Sequence, residues 1–105
     1  NVSELTKSEF DGFIKKGLVL VDFYADWCMP CVMMAPVMEE LGKKFKGKIK
    51  FGKINIDDNR EIEQKYNIRS IPNFILFDEG KIKDNFVGAI YIEEFEKKLK
   101  EHLVK

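Results

Sequence analysis

Cys28 and Cys31 are the only cysteines of the chain, and Met29 and Pro30 separate them. Residues three apart in the first turn of a helix lie on one face, with Cβ atoms about 5 to 6 Å apart, so the sulfurs can close and reopen a disulfide. The helix N-terminus stabilises a thiolate, which makes Cys28 the expected nucleophile. Cys31, one turn deeper and more covered, is placed to resolve a mixed disulfide. Pro30 suits the first turn, which loses no hydrogen bond to proline.

Two other uses of the cysteine pair are weaker. A tetrahedral zinc site needs four ligands, and His102 is the only histidine that could add to the two cysteines, so no metal is expected. A purely structural disulfide would stabilise the fold little, because the loop that it closes is very short. The spacing therefore favours reversible redox chemistry.

Composition limits the class of protein and its partners. The 105 residues suffice for one domain, residues 1–105, and 45% of them are hydrophobic. Lysine plus arginine and aspartate plus glutamate each total 18, so no net charge attracts nucleic acid or an anionic membrane. No apolar run approaches the roughly 20 residues of a membrane span. No leader-like segment opens the chain, and a lone close cysteine pair is typical of cytoplasmic proteins, so we expect a cytoplasmic monomer.

The hydrophobic pattern alternates strands and helices around the cysteines. Residues 18–25, LVLVDFYA, form a continuous apolar run typical of a strand that is covered on both faces. A helix should begin at or near Cys28 and end at Gly47, with Val32, Ala35 and Met38 on its apolar face. A further strand and short helix follow, then a hairpin around Gly80 and an amphipathic terminal helix. This order predicts an α/β domain with a mixed sheet and helices on both faces.

The four methionines are expected to divide into two kinds. Met33, Met34 and Met38 follow the apolar pattern of the helix and are interpreted as core residues. Met29 lies between the cysteines, where an exposed apolar side chain favours contact with protein partners. His102 is interpreted as part of a solvated helix surface.

Asp22 interrupts the apolar run of the expected central strand. A buried carboxylate is costly unless it has a partner, and its pKa rises, which would suit proton exchange with Cys31. The alternative is that Asp22 faces solvent at a strand edge.

Four segments, VDFYADWCMPC, INIDDN, YNIRSIPNFILF and GKIKDNFVGA, resemble motifs of the thioredoxin family, in the family's order and across nearly the whole chain. The resemblance implies a thioredoxin fold, three layers with four helices around a central mixed five-stranded sheet. It also implies a protein-disulfide reductase that acts on disulfide-containing target proteins. Such a protein has no bound cofactor and receives its electrons from a thioredoxin reductase, which is linked to NADPH or ferredoxin.

The same resemblance assigns roles to single residues. Cys28 and Cys31 match the catalytic pair, Asp22 the buried carboxylate behind it, and Lys53 the partner of that carboxylate. The residues that would contact substrate are Trp27, Met29, Pro30, Ile71, Pro72, Gly88 and Ala89, with a cis bond expected before Pro72.

Three positions depart from the family pattern. Met29 stands where glycine is common, Tyr24 replaces the usual tryptophan, and Val32 follows the second cysteine where a basic residue is frequent. These departures bear on the redox potential and on the choice of reductase. A glutaredoxin-like, oxidising or isomerising member of the fold remains an alternative. So does a non-catalytic binding module built on the groove around Trp27, Met29 and Ile71.

Overall fold

The computed structural model describes residues 1–104, which form five strands and four helices. In chain order they are β1 (Val2–Leu5), α1 (Lys7–Ile14), β2 (Leu18–Tyr24), α2 (Met29–Lys44), β3 (Ile49–Asn55), α3 (Arg60–Lys65), β4 (Asn73–Asp78), β5 (Lys81–Val87) and α4 (Ile92–Glu101). The expected alternation of strands and helices, the hairpin and the terminal helix are confirmed.

Strand β2 lies at the centre of a single five-stranded sheet, whose order is β1-β3-β2-β4-β5. It runs parallel to β3 and antiparallel to β4, and β1 extends the parallel half of the sheet beside β3. Residues 19–23 are all buried, as the continuous apolar run of β2 predicts for a strand covered on both faces. The mixed sheet and the thioredoxin fold are thereby confirmed.

Helices cover both faces of this sheet and divide the core in two. Alternate residues of β2 point to opposite faces, so Val19, Val21 and Phe23 pack with α1 and α3, while Leu20 packs with α2 and α4. Asp22 has the same parity as Leu20 and therefore lies on the face covered by α2 and α4. The three layers place the end of β2 and the start of α2 at one edge of the sheet.

The buried face of α2 differs from the face expected from its sequence. Cys31, Met34, Met38 and Leu41 are buried, at spacings of three and four residues. Val32 and Met33 are 53% and 70% exposed and Ala35 is exposed as well, so the prediction that these three side chains are buried was wrong. Apolar residues occur on both sides of the first two turns, so the sequence pattern fits more than one helix rotation. The packing of Met34, Met38 and Leu41 in the core between the sheet and α4 decides between them.

The β4–β5 hairpin turns at Glu79 and Gly80, whose φ values are 52° and 83°. Two successive positive φ angles are typical of a type I′ turn, in which glycine is favoured, and the expected role of Gly80 is confirmed. Glu79 also fastens the hairpin to the loop before β2. Its carboxylate accepts a hydrogen bond from the Gly17 amide at 2.7 Å, and its own amide donates to the Gly17 carbonyl at 3.1 Å.

The position of His102, at the end of α4, also differs from the prediction. Its Nε2 lies 2.7 Å from Oδ2 of Asp84 on β5, and its side chain is 19% exposed. It therefore ties the terminal helix to the edge strand and does not belong to a solvated surface. None of the helices in residues 1–104 combines the length and hydropathy that a membrane-crossing segment requires.

Candidate active site

The cysteine pair lies where β2 gives way to α2. Cys28 is the N-cap of the helix and is joined to Cys31 by a disulfide, with 5.2 Å between their Cα atoms. The Cys31 amide donates a hydrogen bond to Cys28 Sγ at 3.3 Å, and Pro30 occupies the first turn. An N-cap sulfur that accepts from the first turn is in the position where a helix stabilises a thiolate. The expected placement of the pair is therefore found.

Depth does not separate the two sulfurs in this disulfide form. Cys28 and Cys31 are 5% and 4% exposed, so the expectation that Cys31 is the more covered does not hold here. Their environments differ instead. Cys28 receives the amide hydrogen of the first helical turn, whereas Cys31 lines a crevice that also contains Asp22.

Asp22 is buried behind the disulfide, with 3% of its surface exposed. Among the described residues its Oδ1 atom has no hydrogen-bond partner. Burial raises the pKa of Asp22 to about 7, while the charge of Lys53 pulls this pKa down and that of Glu4 pushes it up. The alternative of a solvent-facing Asp22 at a strand edge is wrong.

Lys53 lies directly across from Asp22 in the β2–β3 register, on the same face of the sheet. Its ammonium, however, forms an ion pair with Glu4 Oε1 at 3.9 Å, and no ion pair joins it to Asp22 within residues 1–104. Asp22, Lys53 and Cys31 line a crevice of about 180 Å³, and Tyr24 and Glu39 contribute to the same lining. Lys53 thus lies near Asp22, but its ammonium group pairs with the carboxylate of Glu4.

The segment around Pro72 faces the sulfur of Cys28. The Ile71–Pro72 bond is cis, as the resemblance implies, and the Ile71 carbonyl oxygen lies 3.8 Å from Cys28 Sγ. Pro72 is buried and Ile71 is half-buried. Gly88 adopts a φ of 91° and donates its amide hydrogen to the Pro72 carbonyl at 2.8 Å, and Ala89, the next residue, is exposed. In the described chain, no hydrogen bond occupies the Ile71 amide.

Trp27 covers the other side of the pair and is 71% exposed. Its indole Nε1 donates to Asp57 Oδ2 at 2.8 Å, and the Asp57 amide in turn donates to the Asn55 side chain at 2.9 Å. Sequence reasoning assigned Asp57 no role in the site. Its position two residues after the end of β3, at the edge where β2 also ends, was the signal that could have found it.

Four exposed apolar side chains surround the dithiol, and we call them the apolar patch: Trp27, Met29, Val32 and Met33. Met29 is 69% exposed, as expected, and Val32 and Met33 extend the patch along α2. Met29, Val32 and Met33 are spaced three and four residues apart and share one side of the helix. No group of three or more His, Cys, Asp or Glu side chains in residues 1–104 is arranged to hold a metal ion.

The thioredoxin family model matches residues 1–101 of the chain. This chain belongs to the thioredoxin family. A thioredoxin from Rickettsia bellii is 48% identical over 88 residues, which cover 82% of this chain and 84% of that protein. A thioredoxin from Staphylococcus epidermidis is 41% identical over 102 residues, covering 97% and 98%, and one from Pseudomonas aeruginosa is 40% identical over 92 residues, covering 86% and 85%.

Membership of the thioredoxin family and the Cys28–Cys31 disulfide together establish the activity. The chain is a thiol–disulfide oxidoreductase that reduces protein disulfides, and Cys28 and Cys31 are its redox-active pair. The inference of reversible redox chemistry from the cysteine spacing is therefore confirmed.

Proposed function

We propose that the thiolate of Cys28 starts the reduction by attacking one sulfur of a target disulfide. A bond forms between Cys28 and that sulfur, and the other target sulfur leaves as a thiolate, which takes up a proton. The observation that carries this assignment is the position of Cys28 Sγ at the helix N-cap, where it accepts the Cys31 amide hydrogen. That donor and the helix dipole favour the charged form of the attacking sulfur.

In the second step Cys31 attacks Cys28 Sγ and releases the remaining target sulfur. The Cys28–Cys31 disulfide forms, so that the dithiol loses two electrons and the target disulfide gains them. Asp22 accepts the proton of the Cys31 thiol and returns it to the departing thiolate. Two facts support this role, the shared crevice of Asp22 and Cys31 and a pKa of Asp22 raised by burial to about 7, near neutral pH.

The target peptide would lie in extended form across Ile71 and Pro72. The free Ile71 amide and its carbonyl, 3.8 Å from the nucleophilic sulfur, are available to pair with a strand of the target. Gly88 and Ala89 border the same site, and the apolar patch contacts the target beyond it. Trp27, Met29, Pro30, Ile71, Pro72, Gly88 and Ala89 are therefore proposed as substrate-contact residues.

The partners follow from the same cycle. Disulfide-containing proteins oxidise the dithiol, and a thioredoxin reductase fed by NADPH or ferredoxin returns two electrons to it. The proposed setting is the cytoplasm, where cellular thiols keep such pairs reduced.

Trapping experiments test the order of attack. We expect Cys28→Ser to abolish the reduction of insulin, since the attacking thiolate is gone, and to form no mixed disulfide. We expect Cys31→Ser to accumulate a mixed disulfide at Cys28, visible by mass spectrometry. Mixed disulfides at Cys31 in the Cys28→Ser variant would reverse the two assignments, and full biological activity of both variants in cells would favour a binding module.

The Asp22→Asn variant tests the proton-transfer step. Asparagine fills the same space but cannot accept a proton, so we expect formation of the mixed disulfide to be unchanged and its release to slow by 10- to 100-fold at neutral pH. Stopped-flow reduction of insulin separates the two rates. Release at the native rate in Asp22→Asn would contradict the role of Asp22.

A further inference from the structure

Three charged residues lie side by side on adjacent strands. Glu4 of β1 is opposite Lys53 of β3, and Lys53 is opposite Asp22 of β2. Residues that are directly opposite project from the same face of a sheet, about 5 Å apart. Tyr24, two residues after Asp22, projects from that face as well. The row places one lysine between two carboxylates, of which only Asp22 is buried.

The outer carboxylate is held in place by hydrogen bonding. The Tyr24 hydroxyl lies 2.8 Å from Oε1 and 2.7 Å from Oε2 of Glu4, and it can donate its hydrogen to either oxygen. Glu4 Oε1 lies 3.9 Å from the Lys53 ammonium, which also lies 5.5 Å from the centre of the Tyr24 ring. Lys53 is thus engaged by Glu4 and Tyr24 on the outer side of the row.

We propose that Glu4, fixed by the Tyr24 hydroxyl, is a positioning residue that draws the Lys53 ammonium away from Asp22 and so favours the protonated form of the Asp22 carboxyl. The inference rests on the proposed proton transfer by Asp22. Glu4 does not line the crevice that contains Asp22 and Cys31, and the ion pair with Lys53 links it to the cation of that crevice.

Three influences act on the Asp22 carboxyl directly. Burial is the largest influence on the pKa of Asp22 and raises it, Lys53 lowers it, and Glu4 raises it. The titratable and charged groups that face the crevice from the other packed segments are Tyr24, Asp26, Cys31 and Glu39. Among residues 1–104, Lys53 is the only cation that lines the crevice, so the position of its ammonium decides how far the ionised form of Asp22 is stabilised.

The test is the titration of the Asp22 side-chain carboxyl, followed by carbon-13 NMR in the disulfide form, in which the cysteines do not titrate. We expect Glu4→Gln, which keeps an acceptor for Tyr24 but removes the charge, to lower the midpoint by roughly half a pH unit, about a threefold change in the ratio of protonated to ionised Asp22. Tyr24→Phe should shift the midpoint in the same direction by less. An unmoved midpoint in Glu4→Gln overturns the inference.

A double-variant cycle distinguishes positioning from direct repulsion between Glu4 and Asp22. Lys53→Met alone should raise the midpoint, and adding Glu4→Gln to it should then produce a smaller shift than in the native background, because only the direct repulsion between Glu4 and Asp22 remains. A shift as large as in the native background would mean that Glu4 acts directly, and this overturns the positioning role. Glu61→Gln, which removes an exposed carboxylate that pairs with Lys7, is the matched control and should leave the midpoint unchanged.

The NMR titration tests the positioning by Glu4, and the kinetics of Asp22→Asn test the catalytic role of Asp22, so the two hypotheses can be rejected independently. A shifted midpoint together with native release of the mixed disulfide in Asp22→Asn would uphold the positioning by Glu4 and overturn the catalytic role of Asp22. Slowed release in Asp22→Asn without any shift in Glu4→Gln would uphold the catalytic role and overturn the positioning.

Discussion

The buried position of Asp22 suits its proposed role in proton transfer but lowers the stability of the folded protein when the carboxyl ionises. Its carboxyl lies inside β2 with 3% of its surface exposed, and one of its oxygens has no hydrogen-bond partner within residues 1–104. Ionising a group in such a place is costly, which raises its pKa to about 7 from the usual 3.8. The position that makes Asp22 suitable for proton exchange at neutral pH must therefore weaken the fold above that pH.

We expect Asp22→Asn to stabilise the disulfide form at alkaline pH. The folded protein binds the Asp22 proton more tightly than the unfolded chain, so stability falls as the pH rises from about 3.8 to about 7. The full penalty, at most about 4 kcal/mol, is present at pH 8, and only part of it remains at pH 5. Urea unfolding of both proteins at the two pH values measures this difference. An advantage of the variant that does not grow between pH 5 and pH 8 would contradict the raised pKa.

Single residues of the site were predictable where the local sequence carried the signal. The spacing of Cys28 and Cys31 predicted a dithiol at a helix start, and Asp22 stood out because it interrupts an apolar run. Glu4 and Asp57 could not be found in this way. Glu4 meets Lys53 only because β1 pairs with β3, and Asp57 meets Trp27 across two strand ends, so both contacts depend on the topology of the sheet.

At the level of secondary structure, β3 is closely covered by α1 at Gly52. A Cβ atom at this position would lie 2.7 Å from Cε2 of Phe13 and 3.0 Å from Cδ1 of Leu5. Glycine is normally unfavourable inside a strand, so its presence here reflects the close approach of these side chains. Lys53 projects from the opposite face of the same strand. Helix α1 therefore packs on the side of β3 that faces away from the row of charges formed by Glu4, Lys53 and Asp22.

We therefore expect Gly52→Ala to destabilise the protein by about 1 to 2 kcal/mol, because the Phe13 ring must move to admit the methyl group. Thermal unfolding followed by circular dichroism measures the loss. Gly12→Ala is the control: a Cβ atom at Gly12 meets nothing within 4 Å, so alanine in this helix should leave the stability unchanged or raise it by up to about 1 kcal/mol. Equal effects of the two variants would contradict the packing argument.

Helix α2 shows why the existence of an element is easier to predict than its rotation. Its start at Cys28 was predictable because proline is favoured in the first turn of a helix, and Pro30 lies two residues after Cys28. Its buried face was not, because Val32, Met33 and Met34 are consecutive apolar residues that fit several rotations equally well. Only the tertiary packing of α2 selects Met34 for the core and leaves Val32 and Met33 exposed.

On the scale of the whole molecule, the apolar patch stands out against a surface without net charge. Lysine plus arginine and aspartate plus glutamate balance at 18 each, so no overall field selects partners. The patch surrounds the redox-active pair and includes the only tryptophan. Apolar contact close to the dithiol would therefore add to the proposed backbone pairing at Ile71 in holding protein targets.

Met33→Ser should weaken the binding of protein targets without affecting the chemistry, because Met33 lies outside the disulfide ring. Loss of one apolar contact of about 1 kcal/mol corresponds to a roughly fivefold rise in KM for insulin, whereas a small aromatic disulfide should be reduced at the native rate. Val104→Ser, which alters another exposed apolar residue, serves as the control and should change neither rate. Equal losses with insulin and with the small disulfide would show that Met33 affects the dithiol itself.

The central position of β2 also determines which part of the molecule opens last. Its backbone is hydrogen-bonded to β3 on one side and β4 on the other, and its residues 19–23 have no solvent-facing side. Amides in such a strand exchange with solvent only when the whole domain unfolds, so we expect residues 19–23 to be among the slowest in hydrogen exchange. Cys28 follows the end of β2 by four residues. The loop that reacts is therefore anchored directly to the most persistent part of the structure, and loss of redox activity on heating should coincide with global unfolding.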